Sequence, residues 1–191
     1  GPRLNAAGRL EDMTLGVQCL LTADPALARA LAAQLARLNS ERRDIEARMQ
    51  GEALAQVDEL VASLAGELPA GLCLHDAGWH QGVIGLVASR VKERLHRPVI
   101  AFARSEAGWI KGSARSVPGV HVRDVLDAIA TRTPGLVDKF GGHAMAAGLT
   151  LREASLPFFE TEFAHEVERW IDEDTLAGHL HTDGELLAGE F

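Results

Sequence analysis

Four short segments of this 191-residue chain hold residue types that can grip an anion. In Phe140-Gly-Gly-His-Ala-Met-Ala-Ala-Gly148 a histidine directly follows two adjacent glycines. Gly141 and Gly142 carry no Cβ, so backbone N–H groups there can approach a ligand closely, and His143 can donate to an anionic oxygen: together a phosphate cradle. The plain alternative is a Gly-Gly turn with a hydrogen-bonded loop histidine. Gly112-Ser-Ala-Arg-Ser116 ends a run that alternates like a strand, which puts Ser113 and Arg115 on one face and Ser116 on the other. A hydroxyl beside an arginine fork suits phosphate; the alternative is a solvated arginine at a strand end. Asp76-Ala-Gly-Trp-His-Gln-Gly-Val-Ile-Gly85 joins a strand to a helix, where N-terminal amides favour anions. Here His80 either bonds a ligand or caps the helix, and Trp79 either stacks on a base or covers the core, with core cover the stronger reading. Pro2-Arg-Leu-Asn-Ala-Ala-Gly-Arg9 sets Arg3, Asn5 and Arg9 around small residues, as an anion-facing loop or as solvated arginines.

Other chemistries lack their residues. No GxGxxG or GxxxxGK[ST] nucleotide fingerprint occurs, and no GxSxG elbow or HExxH. No Asp-His-His or other close cluster of Asp and His is present, so the sequence offers no catalytic or metal-ligating set of its own. The acidic stretch 160–174 reads as the outer face of a helix. Cys19 and Cys73 fit neither a disulfide framework nor a zinc site and read as buried thiols in a reducing compartment.

The elements that must position these segments follow from periodicity. A short helix is expected over Thr14–Leu21. Asp24-Pro25 supplies an N-cap and a first-turn proline. Leu27, Leu31, Leu35, Leu38, Ile45, Met49, Val57, Leu60 and Leu64 then recur at helical spacing, predicting a helix from 25 to 65 that Gly51 bends or breaks and Gly66 and Pro69 end. Gly71–Asp76, Val83–Leu95 and Pro98–Phe102 read as strand, helix, strand. Strands over Trp109–Ala114 and Ala144–Leu151, and helices over Val122–Thr131 and Leu156–Trp170, complete an α/β domain. Thr182–Phe191 alternates like the first strand of another module. Residues 1–10 carry no start signal for any element, so the chain is expected to begin inside a larger protein.

Apolar residues make up 47% of the chain and charged ones 24%, enough for a packed core. No apolar run reaches the roughly 18 residues of a membrane span, and no signal-peptide pattern is present. The net charge of −8 is unevenly spread. Residues 70–150 carry ten basic and six acidic side chains and five of the eight histidines, whereas 151–191 carry two basic and eleven acidic. A basic middle between acidic ends points to an anionic ligand at the middle.

Pro2–Arg9, then Gly78-Trp-His-Gln-Gly-Val-Ile-Gly85 running into Ala88-Ser-Arg90, then Gly112–Ser116, then Gly141–Gly148, occur in an order that closely resembles the bacterial RecJ exonucleases of the DHH phosphoesterase superfamily. The resemblance implies the end of a DHH catalytic domain over 1–22, a long connecting helix over 23–68, a small mixed β-sheet domain with flanking helices over 70–175 (the DHH-associated domain), and a lead-in to an OB-fold over 180–191. It implies one half of a cytoplasmic, monomeric 5′→3′ single-stranded-DNA exonuclease of recombination and repair. Mn2+ or Mg2+ would be held by the catalytic domain and not by this chain, which alone is expected to be inactive. The implied partners are single-stranded DNA, the catalytic domain and OB-fold in cis, and single-stranded-DNA-binding protein. The implied DNA-phosphate contacts are Ser113, Arg115, Ser116 and His143, with Gly141 and Gly142 allowing close approach. Arg3, Asn5 and Arg9 would line the cleft edge, and His80 would contact DNA or the core. Two other readings stand beside this one: a phosphodiesterase of the same superfamily acting on short oligonucleotides or cyclic dinucleotides, and a non-enzymatic module whose long helix dimerises.

Overall fold

A computed structural model describes residues 1–63 and 68–171. The expected end of the long helix at 64–66 and the lead-in strand at 180–191 lie outside the described residues. Helix α1 spans Pro2–Leu10, where the sequence signals no element. It forms because Ala6 and Ala7, both fully buried, pack against Leu35 and Leu38 of the long helix. Burial against a distant segment overrides the weak local signal.

Helix α2 covers Thr14–Leu21, as its periodicity predicts. Asp12 Oδ1 accepts from Thr14 N and Oγ1, both at 2.9 Å, at its start. Helix α3 covers Pro25–Ser63, with Asp24 Oδ1 accepting from Ala26 N at 2.8 Å at its cap. It runs unbroken through Gly51, which is exposed and has open space around it. The cost of a mid-helix glycine, about 1 kcal/mol, is offset because Met49, Ala53 and Val57 on either side are buried in the domain core. Nearer its start, Leu35 and Leu38 pack on α1 and α2. Between the two clusters sits Arg42, buried and paired with Glu46 one turn on. The apolar stripe of α3 is therefore consumed by two cores of its own chain, which leaves no continuous seam for a second helix.

Beyond α3 come β1 (Leu72–Asp76), α4 (Ile84–Leu95), β2 (Val99–Arg104), β3 (Trp109–Arg115), α5 (Val122–Arg132), β4 (Lys139–Gly142), β5 (Ala146–Arg152) and α6 (Leu156–Glu168). The sheet order is β1-β2-β3-β5-β4; only β1 and β2 are parallel, joined through α4. One face of the sheet, with Ile100, Phe102, Ile110, Leu149 and Leu151, packs on α5 and α6. The other face, with Leu72, Leu74, Val99 and Ala101, packs on α4 and the middle of α3. Cys19 and Cys73 are free and only partly buried, and burial pushes the Cys73 thiol well above its ordinary value.

The acidic face expected over 160–174 needs correction at Glu166, which is 4% exposed. Arg132 Nη2 donates to it at 2.5 Å and Trp170 Nε1 at 3.1 Å, which ties α6 to α5. Burial raises its pKa, but these two donors and the charges of Arg132 and Arg169 outweigh burial, so the carboxyl titrates below its ordinary value. A depressed folded pKa gives stability that is present above the unfolded carboxylate range and lost as pH falls through the folded value. Arg132→Ala is therefore expected to lower the melting temperature more near neutral pH than in acid, and more than removal of the exposed Arg90–Glu93 pair. Melting curves at the two pH values check this.

Candidate nucleic-acid interface

Strand β3 alternates as its sequence predicts: Ile110 and Ala114 are buried toward α5 and α6, while Lys111, Ser113 and Arg115 turn to the other face. The Arg115 side chain folds back along its own strand, its Nη1 donating to Ser113 Oγ at 3.0 Å and to the Ala114 carbonyl at 2.8 Å. The first turn of α4 lies against both. A Cβ on Gly85 would stand 2.6 Å from Arg115 Nη2 and 2.8 Å from Ser113 Oγ. A glycine is what lets the helix come this close.

The end of α1 closes the next side. A Cβ on Gly82 would stand 2.0 Å from the Arg9 carbonyl, so α1 abuts the turn that leads into α4. Burial, and after it the nearby charge of Arg9, lower the Arg115 pKa; the guanidinium nevertheless stays a cation. Among the described residues no carboxylate lies within ion-pair distance of Arg9 or Arg115. Two cations with a hydroxyl and a helix start beside them are an arrangement that an anion would stabilise.

The Gly-Gly-His segment lies partly in a strand that the sequence did not signal. Gly141 and Gly142 end β4, and residues 143–145 turn into β5, with His143 N donating to the Ala146 carbonyl at 2.8 Å. His143 is exposed. Arg115 stands opposite Ala146, and Ser116 N donates to the Met145 carbonyl at 3.0 Å, so the turn carrying His143 lies beside the end of β3.

Three expected contacts are engaged within the fold or stand apart from this cluster. Ser116 is 1% exposed, and its Oγ donates to the Val120 carbonyl at 2.7 Å, which fixes the turn after β3. Nδ1 of His80 accepts from Gly82 N at 3.1 Å and its carbonyl accepts from Val83 N at 2.9 Å, so it holds the turn ahead of α4 and does not cap the helix itself, whose N-cap is Val83. Arg3 is six residues from Arg9, about 240° around the helix, and lines a separate hollow with Asn39 and Arg43. Asn5, one turn before Arg9, shares its face. Trp79 is 4% exposed and donates from Nε1 to Glu52 Oε2 at 2.9 Å, covering the core as read. Gly82 and Gly85 were in plain view as residues. What approaches them is fixed by packing that no local pattern encodes. Among the described residues no three His, Cys, Asp or Glu side chains are arranged to hold a metal ion. No helix among them is long and apolar enough to cross a membrane.

Residues 56–173 match the DHHA1 domain. The whole chain is 51% identical over 191 residues to the single-stranded-DNA-specific exonuclease RecJ of Haemophilus influenzae, and 53% identical over 190 residues to that of Dickeya dadantii, covering 33% of each. It thus spans about a third of the length of these relatives. Crystal structures of Thermus thermophilus RecJ, one in complex with Mg2+ and one with Mn2+, superpose with a TM-score of 0.76 at 34% identity, over 90% of this chain and about a quarter of theirs. The β1-β2-β3-β5-β4 sheet with its flanking helices is their fold as well, and by the family match the chain belongs to the DHHA1 domain family.

Proposed function

We propose that this chain is the DNA-holding portion of a RecJ-type exonuclease that degrades single-stranded DNA from 5′ to 3′ in recombination and repair. One observation carries the reading: Arg115 stands beside Ser113 against the first turn of α4, the end of α1 with Arg9 docks at the neighbouring turn, and among the described residues neither arginine has an ion-pair partner. Residues 1–22 would close a catalytic domain, 23–68 would span to the DHH-associated domain over 70–175, and 180–191 would lead into an OB-fold. The Mg2+ or Mn2+ would be bound by the part of the protein outside this chain. The enzyme would work as a monomer in the cytoplasm, with single-stranded-DNA-binding protein as a partner.

In this reading Arg115 offers its remaining N–H groups to a phosphate, and Ser113 gives its hydroxyl proton to the same oxygens while accepting from Arg115. Arg9 and His143 add donors from two neighbouring elements. Gly141, with open space where a Cβ would stand, lets the strand backbone come close. These groups position the phosphate and offset its charge; they do not supply the nucleophile.

Titration of the chain with single-stranded DNA is expected to give a log–log salt slope of about −2 to −3, at roughly 0.7 per phosphate contact. The chain alone, incubated with Mn2+, should leave that DNA intact. An isotherm unchanged between low and moderate salt, or digestion that survives further purification, overturns the reading.

A further inference from the structure

The helices on the second face of the sheet cover only part of it. Lys111, Lys139, Gly141 and Gly148 are exposed. By alternation and register, this face carries Trp109, Lys111, Ser113 and Arg115 of β3, Ala146, Gly148, Thr150 and Arg152 of β5, and Lys139 and Gly141 of β4. Four of these are cations and none is an acid. Lys111 and Lys139 both stand opposite Thr150, one on each side of β5, and hence about 10 Å apart. Between them is a shallow depression of about 280 Å3, rimmed by Lys111, Lys139, Gly148 and Thr150 and reached also by Phe140 and Leu149. Among the described residues neither lysine has an ion-pair partner. Lys111 lies four residues before Arg115 on the same strand face, about 13 Å away.

We infer that this open face continues the nucleic-acid track beyond Arg115, with Lys111 and Lys139 gripping phosphates of the strand that runs across Gly148. The inference rests on the function proposed above. Its warrant is the chemistry of the face. Thr150 alone stands between two unneutralised lysines, and the next rung is the exposed pair Gly141 and Gly148, so a polyanion can come to close range. A protein partner would instead need an apolar centre, and the large apolar side chains here are already taken up: Phe140 and Leu149 by the core on the other face, and Trp109 by the Arg152 guanidinium, 3.8 Å from its ring centre. Lysines that meet phosphates act as point charges, so they add affinity without sequence preference.

The test compares a dinucleotide with a long oligothymidylate in salt titrations of the chain. Lys111→Gln and Lys139→Gln, both at exposed positions, should each weaken the long strand about threefold to fivefold and reduce its salt slope by about 0.7. The dinucleotide, held at Arg115, should bind as before, whereas Arg115→Ala should weaken both ligands. Lysine variants that bind the long strand unchanged, with Arg115→Ala weakening both ligands, overturn the track and leave this face to a protein contact. Arg115→Ala with no effect on either ligand overturns the function it rests on.

Discussion

If the full-length protein is the exonuclease proposed above, replacing its Arg115 with alanine is expected to cut turnover on single-stranded DNA by about tenfold to a hundredfold. The change removes a charge-assisted hydrogen bond to phosphate, worth about 1.5–3 kcal/mol, and each 1.36 kcal/mol or so of barrier is tenfold in rate. Stability should hold, because among the described residues the guanidinium hydrogen-bonds only to Ser113 Oγ and its neighbour's carbonyl, and no ion-paired acid is left behind. Removing it also relieves the repulsion with Arg9. Arg115→Lys keeps a charge but loses the planar fork, so it should fall between the alanine variant and the parent. His143→Ala should act in the same direction, since its exposed ring has no role in the core. Melting temperature and exonuclease rate are to be measured on the same preparations. Activity that falls only in step with melting temperature would make both residues structural.

The adjacent glycines should behave in opposite ways. Gly142 has φ of 146°, and a Cβ there would stand 2.4 Å from the Ala146 carbonyl oxygen and 2.5 Å from Ala147 Cα. Backbone in such a region costs a residue with a side chain about 1–3 kcal/mol, and the clash with main-chain atoms adds to it. Gly142→Ala is therefore expected to lower the melting temperature by about 5 °C or more, at roughly 2–4 °C per kcal/mol for a chain of this size. The same strain would displace the turn that carries His143. Gly141 has nothing within 4 Å of where its Cβ would be. Gly141→Ala should leave the melting temperature unchanged and weaken binding of single-stranded DNA, because the added methyl stands where the strand would lie. If Gly141→Ala binds as tightly as the parent, close approach at that glycine is not part of binding.

The sequence by itself determined what depends on local pattern. Asp24-Pro25 set the start of α3, and a three-to-four spacing of apolar residues carried it forward. Two-residue alternation marked β3 and put Ser113 and Arg115 on one face. Glycine and histidine punctuation located the turns that carry the candidate contacts. Tertiary structure decided the rest, because those outcomes depend on partners far away in the chain. α1 exists because Ala6 and Ala7 find Leu35 and Leu38. β4 is four residues with two glycines, too poor in strand formers to announce itself, and it is held by pairing with β5. Gly51 passes unnoticed within α3 because the side chains around it are buried. Ser116 and His80, polar residues in promising motifs, turn inward to carbonyl and amide groups that the fold would otherwise leave unpaired. Arg9 and Arg115 are 106 positions apart in the sequence, and the docking of α1 against Gly82 is what brings the two elements that carry them to the same end of α4. Periodicity is a property of neighbours along the chain, whereas a binding site is a property of neighbours in space.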